Sequence, residues 1–140
     1  MRRALLPAAV ALLLLAGCGG GGSPKQQGLV AGLESHGVKA ETPQPEPAGV
    51  LGVRSTAYQV PGGQLHVFTF PSGPEAQKAA ARVLPDGYTV QTVSGINQAV
   101  DWAAPPHWFR DGREIALYVG TSSDVVDALR TVAGTQFAGA

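Results

Sequence analysis

Between Asp101 and Arg110 the chain gathers an imidazole (His107), two indoles (Trp102 and Trp108), a guanidinium (Arg110) and a carboxylate (Asp101), its densest set of side chains capable of chemistry. Indole walls with polar handles suit a small anionic or aromatic ligand, so Trp102, His107, Trp108 and Arg110 are the candidate ligand-binding residues. The competing expectation is that the aromatics fill the core beneath a hairpin while Pro105-Pro106 break or edge a strand. His36, His66 and His107 are the three histidines. Three imidazoles and one open position suit zinc, but none of these is spaced as a helical ligand pair, and no metal is assigned. No Gly-x-Ser-x-Gly elbow occurs, and no glycine loop ends in Lys-Ser or Lys-Thr. Glu75, Asp124 and Asp127 fall where carboxylates cap helix starts or face water. The sequence therefore assigns no catalytic residue and no cofactor, and the expectation is a non-enzymatic protein.

The elements that would position these residues are legible from Val50 onward. Ser55 to Val60 and Gln64 to Phe70 flank Pro61-Gly62-Gly63, which reads as a hairpin turn. Leu65 and Val67 alternate with His66, Phe68 and Phe70, so apolar residues on both faces predict a central strand. Ser72-Gly73-Pro74-Glu75 opens a helix with a buried stripe of Ala76, Ala79, Ala80, Val83 and Leu84. Strands are expected over Tyr88 to Val93 and Ala99 to Ala103. A hairpin follows at Asp111-Gly112, then Ile115, Leu117 and Val119 alternate inward. Thr121 to Asp124 offer N-cap oxygens to a last helix carrying Val125, Val126, Leu129, Val132 and Ala133, closed by Gly134. Upstream, Leu29, Val30 and Leu33 predict a short first helix ending near Gly37, although Gly28 and Gly32 weaken it.

Glu41 to Gly49 holds three prolines, which remove three backbone donors and favour an extended conformation. Residues 41–49 are expected as a loop inside the domain, with a second tether as the alternative. An isolated first helix would have nothing to bury its apolar stripe against. Helix, two strands, helix, several antiparallel strands and helix predict an α+β fold: an antiparallel sheet of about four to six strands with two or three helices packed on one face.

The N-terminus states an address. Met1-Arg2-Arg3 is followed by the apolar run Ala4 to Leu15 and by Leu15-Ala16-Gly17-Cys18. That run is too short to span a bilayer, which takes about 20 apolar residues. Charged start, short apolar run and small residues before the single cysteine resemble a bacterial lipoprotein signal with its lipobox. The resemblance implies a signal peptide over 1–17, cleavage before Cys18, and lipidation of that thiol with at least a diacylglycerol, which anchors the chain to the membrane. Gly19 in place of Asp implies the outer membrane where the host has one, and otherwise the outer face of the cell membrane. Residues 18–28 read as the lipidated cysteine and a flexible tether, with roughly 15–18 Å between the ends of Gly19 to Gln27. Residues 29–140 form the expected single domain. Once Cys18 is acylated no thiol remains for a disulfide, a nucleophile or a metal site.

Lysine and arginine number 10 against 10 acidic residues, and loss of Arg2 and Arg3 with the signal lowers the basic count to 8. Without a basic run, nucleic acid is not an expected partner. Pro106-His107-Trp108-Phe109-Arg110, Gly112-Arg113, Tyr118-Val119-Gly120 and the ending Gly134-Thr135-Gln136-Phe137-Ala138-Gly139 together resemble a group of small uncharacterised bacterial lipoproteins. That likeness covers the last third of the chain, extends loosely over Val60 to Phe70, and implies the hairpin and strand assignments but no activity. The expected function is a membrane-anchored extracytoplasmic binding domain for an envelope protein or other envelope component. The alternative is small-ligand or metal binding at Trp102, His107, Trp108 and Arg110.

Overall fold

The computed structural model describes residues 28–140. The expected signal peptide, Cys18 and residues 19–27 of the tether lie outside the described residues. The centre of the fold is two hairpins placed side by side. β2 (Ser55–Val60) and β3 (Gly63–Thr69) turn through Pro61-Gly62, with Gly62 at φ 71°. β6 (Pro106–Asp111) and β7 (Glu114–Gly120) turn through Gly112-Arg113, not through the Asp-Gly pair expected. Gly112 takes the first central position at φ 57°, where a two-residue hairpin needs a positive dihedral. β3 pairs antiparallel with β7 from Gly63↔Gly120 to Thr69↔Glu114, and every residue of β7 is buried. Apolar side chains on both faces of β3 thus mark an interior strand, as their alternation predicts.

The sheet has six antiparallel strands in the order β1-β2-β3-β7-β6-β8, and the α+β class expected from the sequence is the observed one. β1 (Glu41–Glu46) corrects the expected loop over 41–49: it is the edge strand beside β2, with a register irregularity between Glu41 and Gln44. Prolines lack ladder donors and are tolerated on an edge, whose outer donors face no partner strand. The pairing also places 41–46 within the domain and not in a second tether. β8 (Ala138–Gly139) forms the other edge against His107 and Trp108.

Each face of the sheet carries its own core. On one face lie α1 (Gly28–Ser35) and α3 (Ser123–Ala133), burying Leu29, Leu33, Val125 and Leu129 against Leu65, Val67, Phe109, Ala116 and Tyr118. Gly32 is no weakness here. A Cβ at that position would come 2.7 Å from a Val132 methyl, so its absence lets the two helices close on each other. The opposite face is covered by α2 (Gly73–Ala80), by a separate two-stranded sheet of β4 (Thr89–Gln91) and β5 (Asn97–Ala99), and by irregular chain. Its core contains Leu51, Phe68, Phe70, Ala76, Ala79, Trp108, Ile115 and Leu117. Ser72 caps α2, accepting from the Glu75 N–H, but the helix ends at Ala80 and Val83 pairs instead with Val90 in an isolated bridge. The expected strand over Ala99 to Ala103 does not form: β5 covers Asn97–Ala99, pairs with β4 alone and does not join the main sheet, and residues 100–103 are irregular.

Candidate functional site

Alternation along β6 separates the four residues that cluster in sequence. Trp108 is fully buried in the core under α2, with Phe68 and Trp102 at ring-centroid distances of 6.2 Å. His107 and Phe109 point to the other face, where the His107 ring stacks on Tyr118 at 5.7 Å. Nδ1 of His107 meets Gln136 Oε1 and Nε2 meets the Gly120 carbonyl, both at 3.3 Å. Arg110 donates to the Gly112 carbonyl across its own hairpin. Trp102 and Trp108 therefore share a site, while His107 lies across the sheet from them; two residues adjacent in a strand face opposite ways.

The two indoles are fixed by a single acceptor. Trp102 Nε1–H and Trp108 Nε1–H both donate to the Gly87 carbonyl, at 3.1 and 3.0 Å, which uses both lone pairs of that oxygen. Gly87 holds φ 74°, and a Cβ there would strike the Gly139 backbone at 2.6 Å, so this acceptor must be glycine. Trp108 is thereby sealed into the core while Trp102 stays half-buried at the margin.

Beside Trp102 opens a cleft of about 320 Å³, walled by Phe68, Leu117, Val50 and Val100 and bordered by Glu46, Ser55 and His66. The register explains the polar border. Glu46, at the end of β1, stands opposite Ser55 on β2, and His66 on β3 pairs with Ala57, one step further across the sheet. Ser55 Oγ–H donates to Glu46 Oε2 at 2.7 Å and His66 Nδ1 approaches the same oxygen at 2.8 Å. Burial works to raise the Glu46 pKa, but hydrogen bonds from Ser55 and His66, helped by the charge His66 carries when protonated, outweigh it and hold the carboxyl below its ordinary value. Glu46 is thus a carboxylate at neutral pH. A carboxylate only accepts, so the imidazole proton sits on Nδ1. Ser55 donates to the carboxylate and not to the imidazole, so the three do not form a nucleophile–base relay.

Neither Glu46, Ser55 nor His66 is marked by a motif, because nine and twenty residues separate Glu46 from its partners. Only strand pairing brings them together. No group of three or more potential metal ligands assembles among the described residues, and His36 instead contacts the Gly32 carbonyl at the end of α1.

A buried carboxylate lies on the helical face. Glu114 begins β7 at 2% exposure, and one of its oxygens is buried without a hydrogen-bond partner among the described residues. Burial, with the nearby charge of Asp111, pushes its pKa up to about 7, opposed by the Leu29 N–H and Arg113. It borders an open hollow with Gly28, Ser72 and Asp111, close to where α1 starts. Neither a protein-family model, a curated protein nor a solved structure matches the chain.

Proposed function

We propose that this protein is a membrane-anchored, extracytoplasmic, non-enzymatic binding domain that takes a small, largely apolar molecule into the Trp102–Glu46–His66 cleft. The observation that carries the reading is the composition of that cleft. Aromatic and aliphatic walls surround a few convergent polar groups, the ordinary make-up of a ligand pocket, and the volume sits at the small end of the range. Trp102 is retained from the residues singled out in the sequence, while Trp108 acts as its core support. His107 and Arg110 serve the framework.

The address rests on Arg2, Arg3, the apolar run and Cys18, with diacylglycerol as the anchor and the outer membrane, where present, as the destination. Among the described residues no helix is long and apolar enough to cross a membrane. Lipidation is read by labelling cells with an alkyne fatty acid: the wild-type chain should carry label and Cys18→Ala should not. Equal labelling would sink the anchor. For the cleft, the test is to purify the protein from its native membrane and extract bound small molecules. Ala48→Trp, a substitution at an exposed residue of the rim, should release them. A variant that retains the same molecules would place them elsewhere.

A second reading, docking of an envelope protein, draws on one feature. Val93 and Ile96 are 82% and 66% exposed on the turn between β4 and β5. An interface there predicts that Val93→Ser with Ile96→Ser abolishes cross-linking to the partner; unchanged cross-linking would refute it.

A further inference from the structure

From the hydrogen-bond inventory of the cleft we infer that its ligand is a small amine with an aromatic body, held by the Glu46 carboxylate. This rests on the cleft being a binding site. The side-chain donors at its border are already committed. Ser55 Oγ–H and His66 Nδ1–H both go to Glu46 Oε2, and Trp102 Nε1–H goes to the Gly87 carbonyl. What remains is acceptors. Glu46 Oε1 makes no hydrogen bond among the described residues, and the Glu46 side chain is 37% exposed against 15% for His66. In the uncharged form of the imidazole, a proton on Nδ1 leaves a lone pair on Nε2, which also has no hydrogen-bond partner among the described residues.

Charge points the same way. Glu46 is the one acidic residue among the described residues that line the cleft, and neither Lys nor Arg accompanies it. An anionic ligand would meet a carboxylate and no free side-chain donor. A primary ammonium instead brings a compensating charge and three donors, enough to serve both Oε1 and the imidazole. Its aromatic body would lie among Phe68, Trp102 and Leu117, where ring faces also favour a neighbouring cation. About 320 Å³ accommodates one ring and a short arm.

Three probes matched in shape test this: phenethylamine, 2-phenylethanol and phenylacetate, titrated into the full-length protein in phosphatidylcholine nanodiscs. The readout is the tryptophan indole N–H resonances. The amine should shift the Trp102 signal far more than that of buried Trp108 and bind about tenfold tighter than the alcohol, with phenylacetate weakest. Glu46→Gln should bring amine and alcohol to near-equal affinity by weakening the amine more than the alcohol. Equal binding of amine and alcohol by the wild-type protein would overturn the amine assignment and leave the cleft as a binding site. Absence of binding by all three would overturn both.

Discussion

The two faces of the sheet are buried by different means. Under α1 and α3, two regular helices lie against each other and against β3, β6 and β7, with Gly32 allowing their close approach. Under α2, a helix of eight residues is supplemented by loops and by the small β4–β5 sheet. Regular helices present a continuous apolar stripe and cover a sheet fully, whereas irregular cover must satisfy its own backbone and meets the sheet only in places. The cleft beside Trp102 lies on the irregularly covered face, framed by the chain after β1 and the chain after β5. Both faces hold the fold together, and the irregularly covered one also leaves the cleft open.

Breaking the irregular face at its anchor should have the largest effect. Trp108→Ala removes a fully buried indole packed on Phe68 and Trp102 and should cost about 3–5 kcal/mol in urea denaturation. A loss below about 1 kcal/mol would mean that this face does not depend on its aromatic cluster.

On the helical face, Glu114 makes stability depend on pH. Its folded-state pKa of about 7 lies above the ordinary 4.5, so between those values the native state holds a proton that the unfolded chain has released. Stability should therefore fall as pH rises from about 4.5 to about 7 and then level off, by about 3 kcal/mol in all. Glu114→Gln should flatten this part of the profile. The same slope in the variant would assign it to another group.

Tyr118→Phe sharpens the contrast on a smaller scale. The phenol donates to the Pro61 carbonyl at 2.8 Å and accepts from the Ser122 N–H at 2.9 Å, tying the β2–β3 turn to the start of α3. Its loss should cost about 1–2 kcal/mol, with hydrogen exchange accelerated first at Ser122. Smallest of all, Glu46→Gln keeps an acceptor for Ser55 and should change thermal stability by less than about 1 kcal/mol. A large destabilisation would make Glu46 chiefly a clasp for the β1 edge.

The hairpins were legible because turn residues and alternation are local signals: Pro61-Gly62, Gly112, and the apolar pattern of Leu65 to Phe70 need no distant partner to be read. β1 was not, since its two prolines, Pro43 and Pro45, speak against a strand unless it is known to be an edge. The grouping of His107 with Trp108 failed for a simpler reason. Nearness in sequence is not nearness in space, and the two-residue period of β6 sends these neighbours to opposite faces. Trp102 could be recognised as a functional type of residue, but its polar companions Glu46, Ser55 and His66 become visible only once β1, β2 and β3 are in register.

The most direct test of the division between the faces is an amide chemical-shift map of the full-length protein during titration with phenethylamine. The account predicts shifts concentrated at residues 46–50, Ser55, His66 and residues 100–102, with α1 and α3 unmoved. Shifts centred on α1 and α3, or no saturable shift anywhere, would contradict it.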